Sequence, residues 1–170
     1  MDKNTIVELF PEINDIQDEK LRQGVIDAWL LAVRKGAWKR IDDIPFTLLI
    51  PTKKNLIEHT RTVTRMAVAL AQERDDVNVD IVRCGGLVHD VGKLLEYARK
   101  GNKVVKSTLG SMIRHPVSGY SLVLEAGLPM EIAHIVAAHS TEGEKVKRSR
   151  EAIIINHCDF VDFDIEKSSI

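Results

Sequence analysis

The chain has 170 residues, of which 44% are apolar and 29% are charged, and its net charge is −1. This composition is typical of one globular domain with a buried core, and it excludes a disordered chain. The 24 basic residues are spread along the sequence, which argues against a protein dedicated to duplex DNA. No apolar run approaches the roughly 20 residues that span a bilayer, and the first residues lack the layout of a signal peptide. We therefore expect a cytoplasmic protein.

The spacing of apolar residues predicts a series of amphipathic helices at 19–35, 55–74, 80–98, 116–126, 129–139 and 150–163. Gly101-Asn102 is a turn signal, and a small hairpin arm is expected within 99–114. Phe46 to Ile50 could form a strand or a buried extended segment, and the pattern leaves this open. The predicted fold class is all-α with at most a small β arm. We expect residues 1–54 to pack as a helical extension on a core domain formed by 55–170.

The two cysteines, Cys84 and Cys158, lie within apolar helical patterns and lack CxxC spacing. Free cysteine behaves as a small apolar residue and is often buried. The pattern therefore predicts reduced thiols in the core rather than a disulfide or a metal site.

Six histidine and aspartate side chains carry most of the functional information: His59, His89, Asp90, His115, His139 and Asp159. His59 and His139 continue apolar stripes, so both are predicted to point into the core, whereas His134 falls on the opposite face of its helix. A core histidine bonded to a backbone carbonyl would explain either one alone. Several buried imidazoles and carboxylates together are costly unless something pairs with them, and a divalent metal ion can pair with several at once.

The sequence around His89-Asp90 contains three glycines, Gly85, Gly86 and Gly92, within the helix predicted at 80–98. Each glycine costs up to about 1 kcal/mol relative to alanine in a helix interior. A helix that tolerates three of them needs a close approach of its backbone to a neighbouring helix or to a ligand. His89 and Asp90 differ by about 100° around the helix, so both can reach a centre that lies between them.

Two assignments stay open on periodicity alone. His115 precedes Pro116, so it belongs to the entry of a helix and could be a cap or a surface residue. The last helix offers Asp159, His157 and Asp162, and the apolar spacing does not choose among them.

Residues 55–163 resemble the HD-domain superfamily of metal-dependent phosphohydrolases, because the order is His … His-Asp … His … His … Asp with Gly92-Lys93 after the doublet. The resemblance implies that His59, His89, Asp90 and Asp159 bind one metal ion. It implies that His115 and His139 add a second ion, that Asp90 bridges the two, and that Asp159 is the ligand of the last helix. Lys93 matches a lysine near the substrate phosphate. The ions implied are Mn, Fe, Co, Ni or Zn, with Mg less suited to histidine ligands.

The sequence also departs from parts of the superfamily. Many two-metal relatives read His-His where this chain has His139-Ser140, and the Gly-Tyr-Pro signature of cyclic-dinucleotide phosphodiesterases is missing. These departures disfavour hydrolysis of cyclic di-GMP. The aromatic content is 5%, and no base-stacking platform is recognisable in the sequence.

The function implied is hydrolysis of a small phosphoester, nucleotide or cyclic phosphate by a metal-activated water, with Asp90 and Lys93 as catalytic residues. Arg114 and Arg61, near ligands, are weaker candidates for substrate binding and could equally be solvated surface charges. Two other functions stay open: a mixed-valence di-iron oxygenase acting on a polyol or a phosphonate, and a non-enzymatic module with a structural metal. The partner expected is a small phosphorylated molecule, and the oligomeric state is open, with a homodimer as the first expectation.

Overall fold

The structure is a computed structural model that describes residues 1–169. It is an all-α bundle with one small two-stranded sheet, as the sequence predicts. Its α-helices are α1 Lys3–Leu9, α2 Glu19–Lys35, α3 Leu56–Gln72, α4 Val79–Val88, α5 Lys93–Glu96, α6 Thr108–Met112, α7 His115–Glu125, α8 Met130–Ala138 and α9 Arg150–Ser168. Two 3-10 helices span Pro11–Asp15 and Thr141–Lys145, and the strands are β1 Tyr97–Lys100 and β2 Lys103–Lys106.

The first 54 residues share one apolar core with the helices that follow them. Phe10 stacks on Trp29 with ring centroids 4.5 Å apart, and both side chains are fully buried. The Trp29 indole donates to the carbonyl of Leu87 at 2.9 Å, and the Trp38 indole donates to that of Leu94 at 2.7 Å. These two bonds tie α2 and its following turn to the segment that contains His89 and Asp90. The short helices α1 and Pro11–Asp15 were not predicted from the sequence.

The helix predicted at 80–98 is wrong beyond residue 88. It ends as α4 at Val88, and the next backbone bonds are tighter ones, from Val91 N–H to the Val88 carbonyl and from Lys93 N–H to the Asp90 carbonyl. A short α5 follows and leads directly into β1. His89 and Asp90 therefore lie in a turn between two helices rather than in a helix interior.

The glycines of this region make close helix contacts, which is one of the two explanations that the sequence allowed. A Cβ on Gly86 would lie 2.8 Å from the Thr64 hydroxyl of α3. A Cβ on Gly92 would lie 2.1 Å from the His115 carbonyl oxygen and 2.6 Å from the Gly119 nitrogen of α7. All three distances are shorter than van der Waals contact. Gly92 therefore lets the turn after His89-Asp90 press against the first turn of α7, which holds His115.

The remaining predicted elements are present with the expected type of secondary structure, but some of them begin or end at other residues. The hairpin arm is confirmed, with Tyr97 opposite Lys106 and Lys100 opposite Lys103. Phe46 to Ile50 forms no strand, since the connector contributes only an isolated bridge between Pro45 and Asn55. The last helix, α9, continues to Ser168, five residues past its predicted end. Among the described residues, no helix is long and apolar enough to cross a membrane.

Substitution of Gly92 tests whether this close approach holds the turn. We expect Gly92→Ala to reduce the free energy of unfolding by about 3 kcal/mol, because its Cβ would collide with backbone atoms of α7 that cannot rotate away. Thermal unfolding should show a midpoint lower by roughly 6–12 °C. Gly85→Ala is the control, since its Cβ would meet only the side chain of Ile135, which can move. Equal melting temperatures for the two variants would contradict the interpretation.

Candidate metal centre

Six side chains from five parts of the fold meet in the interior, and they are the six that the sequence singles out. His59 lies on α3, His89 and Asp90 in the turn after α4, and the other three lie at the start of α7, the end of α8 and on α9: His115, His139 and Asp159. The four histidines and Asp90 are at least 96% buried, whereas the side chain of Asp159 is 17% exposed. The elements pack directly on one another, with α3 against α4 and α9, and α7 against α8.

Each of the four histidines has its Nδ1 atom beside an acceptor oxygen. These oxygens belong to Asp162 at 2.7 Å from His59, the Gly86 carbonyl at 2.7 Å from His89, Glu96 at 2.7 Å from His115, and the Val136 carbonyl at 2.8 Å from His139. A neutral imidazole has one N–H, and here it is Nδ1 that must donate it. Each Nε2 atom is therefore left with a lone pair, which is the arrangement found when histidine binds a metal ion.

The four Nε2 atoms point at one another in two pairs. The distance from His59 Nε2 to His89 Nε2 is 3.4 Å, and that from His115 Nε2 to His139 Nε2 is 3.2 Å. Two lone pairs at such a distance repel each other unless a cation or a proton lies between them. The fully buried Oδ1 of Asp90 has no hydrogen-bond donor within the described part of the chain. This excess of acceptors over donors fits divalent metal ions well.

Asp90 lies between two groups of possible ligands. Its Oδ2 is 3.3 Å from His59 Nε2 and 3.4 Å from His89 Nε2, in the group that also contains Asp159. Its Oδ1 is 3.2 Å from His115 Nε2 and 3.6 Å from His139 Nε2. One carboxylate thus presents a separate oxygen to each pair of histidines. The arrangement can hold two ions with Asp90 shared between them.

The electrostatics of the two groups differ when no metal balances the charge. Burial alone would lower the pKa of His59, but the hydrogen bonds that its ring donates to Asp159 and Asp162 outweigh burial and raise the pKa to about 10. Burial lowers the pKa of His115 to about 4 in spite of its bond to Glu96. Burial would raise the pKa of Asp159, yet the bond to His59 brings it down to about 2. Without a metal ion, a second proton on the His59 ring therefore supplies part of the positive charge that a metal ion would supply.

Lys93 is buried beside this cluster, and its Nζ donates to Asp90 Oδ2 and to the Phe46 carbonyl, each at 2.6 Å. Burial would lower the pKa of Lys93, but the Asp90 carboxylate beside it raises the pKa, so the side chain stays charged. Burial would likewise raise the pKa of Asp90, and the positive charge of Lys93 beside it holds that pKa well below the usual range.

Two carboxylates outside the six hold the histidine rings in place. Asp162 accepts from His59 and from Lys54 Nζ at 2.5 Å, which joins α9 to the connector before α3. Glu96 accepts from the ring of His115 and from its backbone N–H, both at 2.7 Å. The sequence offered Asp162 as a rival to Asp159, and the structure gives it this supporting position instead. The spacing of the sequence did not indicate Glu96, because the hairpin and α6 separate it from His115 along the chain.

A cavity of about 520 Å³ opens beside the cluster. Lys93, His115 and Asp159 line it, and so does Arg114, whose Nε is 3.3 Å from Glu96 and 3.6 Å from Glu142. The complete lining consists of Phe46, Thr47, Leu48, Leu49, Lys93, Glu96, Tyr97, Lys106, Arg114, His115, Ser140, Thr141, Asp159, Phe160 and Phe163.

Arg61 and His157, which were weaker candidates, and His134, which was predicted to face away, all lie apart from the cluster and this cavity. Arg61 does not line the cavity, since its Nε binds Glu12 at 2.9 Å in the N-terminal segment, so the prediction that it contacts substrate has no support here. His134 Nε2 accepts from the Ser149 backbone N–H at 3.2 Å, on the side of α8 that faces the start of α9. His157 is exposed on α9. None of the three belongs to the groups of possible metal ligands among residues 1–169.

Comparison with known proteins agrees with this site. The sequence model of the HD domain family matches residues 56–164. A dihydroneopterin 2′,3′-cyclic phosphate phosphodiesterase of Methanocaldococcus jannaschii is 28% identical over 170 residues, which covers 91% of this chain and 68% of that protein. A ribonuclease Y of Thermosipho melanesiensis is 32% identical over 106 residues, or 62% of this chain and 18% of the ribonuclease. No solved structure matches the chain significantly.

The chain therefore belongs to the HD domain family, because the family's sequence model matches well over half of the chain. Members of this family bind divalent metal ions, and the two groups of histidine and aspartate found here can hold them. Fold, site and relatives together define a metal-dependent phosphoric ester hydrolase.

The two histidine groups should titrate very differently in protein from which metal has been removed by a chelator. In a pH series of nitrogen-detected NMR spectra, we expect His59 to lose its second ring proton near pH 10 and His115 to gain one only near pH 4. On addition of Zn²⁺ at neutral pH, the second proton of His59 should be released, because a metal ligand must be neutral. Two rings that both titrate near the ordinary value of 6.5 would contradict the geometry.

The same shifts predict how stability depends on pH in the metal-free protein. The raised pKa of His59 gives stability that is complete below 6.5 and is lost as the pH rises through about 10. The lowered pKa of His115 gives stability that is complete above 6.5 and is lost as the pH falls through about 4. Melting temperature in chelator should therefore be highest near pH 6.5. A steady rise from pH 5 to pH 9 would be inconsistent with the His59 shift.

Proposed function

We propose that the chain hydrolyses a small phosphoric diester, with a cyclic phosphate as its preferred class of substrate, at a site that holds two divalent ions. The observation that carries this proposal is the position of Asp90, with one oxygen toward His59 and His89 and the other toward His115 and His139. Support for the substrate class comes from the relatives, one named as a cyclic phosphate phosphodiesterase and another as a ribonuclease.

The proposed ligands divide into two sets that share Asp90. His59, His89 and Asp159 would hold one ion, and His115 and His139 would hold the other. The set contains only nitrogen and oxygen donors and is rich in imidazole, which favours Mn, Fe, Co, Ni or Zn over Mg. When bound, such ions supply a Lewis acid for a phosphoryl oxygen and lower the pKa of a coordinated water.

Lys93 is proposed to fix Asp90 and to bind the substrate phosphate. Its ammonium group has three N–H bonds, and Asp90 and the Phe46 carbonyl accept two of them. The third is available to an oxygen of the phosphate, since Lys93 also lines the cavity. The raised pKa of Lys93 keeps this group cationic at neutral pH, so it can neutralise charge that develops on the phosphoryl oxygens.

Arg114 is proposed as a second phosphate-binding group. It precedes His115 at the entry of α7, lines the cavity, and has only long contacts to Glu96 and Glu142. Its Nε is buried without a hydrogen-bond partner of good geometry among the described residues. A guanidinium group in this state can turn toward an anionic ligand at low cost, because it breaks no strong bond to do so.

The metal content of variants tests whether Asp90 is a ligand of both ions. We expect Asp90→Ala to lose both ions, because each half of the site loses a ligand and the remaining lone pairs repel one another. His139→Ala should lose one ion, and His134→Ala should keep both, since His134 binds Ser149 instead of the cluster. Plasma mass spectrometry of dialysed protein gives the metal-to-protein ratio, and circular dichroism checks the fold. Full occupancy in Asp90→Ala would refute the bridge, and loss in His134→Ala would refute the ligand set.

Turnover tests the activity itself. We expect protein loaded with Mn²⁺, Fe²⁺, Co²⁺, Ni²⁺ or Zn²⁺ to open 2′,3′-cyclic nucleotides and glycerol cyclic phosphate, measured by phosphorus NMR. His89→Ala should lower kcat/KM by roughly a thousandfold, since it removes most of the Lewis-acid contribution to the transition state. His134→Ala serves as the matched control and should retain full activity. If no phosphodiester is hydrolysed with any of the five metals, or if both variants match the wild type, the proposed function is wrong.

A further inference from the structure

Half of the aromatic residues of this chain lie around one cavity. The sequence contains four phenylalanines, two tyrosines and two tryptophans, and Phe46, Tyr97, Phe160 and Phe163 all line the cavity beside the histidine cluster. Fifteen lining residues out of 170 would include fewer than one aromatic ring by chance. The low aromatic content of the sequence concealed this concentration, because the rings come from three separate segments.

The aromatic wall begins directly beside the proposed metal ligands. Phe46 stacks on the His59 ring with centroids 4.6 Å apart, and Phe163 meets Phe46 edge to face at 6.2 Å. Phe46 is almost fully buried, whereas Phe160 and Phe163 are partly exposed and so offer surface to the cavity. A ligand that reaches the cluster with its phosphate would therefore have these two rings beside its organic part.

Two leucines extend the same apolar lining, and their side chains are exposed to solvent. Leu48 is 41% exposed and Leu49 is 71% exposed, and both line the cavity next to Phe46. Leaving large apolar side chains in water at the mouth of a cavity forgoes the stabilisation that burial would give. A bound apolar group would cover them.

The remaining lining is polar, with two cations and hydroxyl groups beside the carboxylate of Glu96. It includes Lys106 of β2, Arg114, Ser140 and Thr141. Lys106 forms no ion pair with any residue in the described range 1–169. An aliphatic chain would fill the apolar part but would take these groups out of water without hydrogen bonds. A flat ring with polar edges suits both the apolar and the polar parts of the lining. Its faces are apolar, and its nitrogen and oxygen atoms accept hydrogen bonds.

We propose that the alcohol portion of the substrate carries a flat conjugated heterocycle, and that this ring binds against Phe160, Phe163 and the two leucines while the phosphate lies at the histidine cluster. This inference rests on the proposed function for the position of the phosphate. Phe160 and Phe163 are then specificity-determining residues, since they contact the organic part of the substrate and not the bond that breaks. A cavity of about 520 Å³ has room for a molecule of mononucleotide size.

The test compares two cyclic phosphates, one with a ring and one without, on wild-type protein and on variants of α9. The probes are 2′,3′-cyclic AMP and glycerol 1,2-cyclic phosphate. The variants are Phe160→Leu, which keeps an apolar side chain but removes the flat face, and Phe160→Tyr, which keeps the face. Val161→Ala is the matched control, because Val161 is the next residue on α9, is 47% exposed and does not line the cavity.

We expect the wild type to prefer the cyclic AMP by about tenfold or more in kcat/KM, which corresponds to about 1.4 kcal/mol. Phe160→Leu should raise KM for cyclic AMP about tenfold and leave kcat/KM for the glycerol ester unchanged. Phe160→Tyr should keep the preference for cyclic AMP because it keeps the flat face, and Val161→Ala should behave as the wild type. If Phe160→Leu does not fold, Phe163→Leu takes its place with the same expected result.

Equal kcat/KM for the two esters in the wild type would overturn the ring proposal and leave the proposed function intact. So would a loss in Phe160→Leu that is the same for both esters. If neither ester is hydrolysed, the proposed function fails, and calorimetric binding of adenosine 2′-phosphate and glycerol 2-phosphate to metal-loaded protein still decides the ring. Binding of the adenosine compound at least tenfold tighter, reduced to the level of the glycerol compound in Phe160→Leu, supports the ring; equal affinities overturn it.

Discussion

Four imidazole lone pairs and two carboxylates meet in a part of this molecule from which water is nearly excluded. With every Nδ1 facing an acceptor, the Nε2 atoms of His59 and His89, and those of His115 and His139, approach within 3.4 Å and 3.2 Å. Such a set of acceptors is unfavourable by itself, and it becomes favourable when cations lie among them. The packing of five elements around this point therefore depends on a positive charge that the site must attract, either as metal ions or in part as a proton on His59.

The rest of the fold keeps these lone pairs directed inward. Backbone carbonyls one turn before His89 and His139 orient those two rings, so the helices themselves supply the support. Side chains orient the other two, because Asp162 accepts from His59 and Glu96 accepts from both the ring and the backbone of His115. This difference follows from position, since His59 and His115 lie in the first turns of α3 and α7, whereas His89 and His139 directly follow the last residues of α4 and α8. The cavity beside them is lined by both apolar rings and cationic side chains, which fits a phosphoester of an organic alcohol better than a free phosphate ion.

The sequence predicted most of the fold and singled out all six residues that meet in the cluster, but by different routes. Helical spacing alone placed His59 and His139 inward and His134 outward, because a regular helix relates residues by a fixed angle. It failed at the segment after Val88, where the contact of Gly92 with α7 replaces the helix by a turn that no local pattern reveals. His115 and Asp159 were assigned only through the resemblance to a family. Glu96 and the aromatic wall were missed, because their contacts join residues far apart in the chain and depend on how the helices pack.

Asp90 is proposed to lie between two metal ions, and anomalous X-ray scattering can locate both of them. Crystals grown with Mn²⁺ and measured on both sides of the manganese absorption edge should show two peaks about 3.5–4 Å apart. One peak should lie between Asp90, His59, His89 and Asp159, and the other between Asp90, His115 and His139. A single peak in the cluster would contradict the shared carboxylate, and no peak among these six residues would contradict the metal centre as a whole.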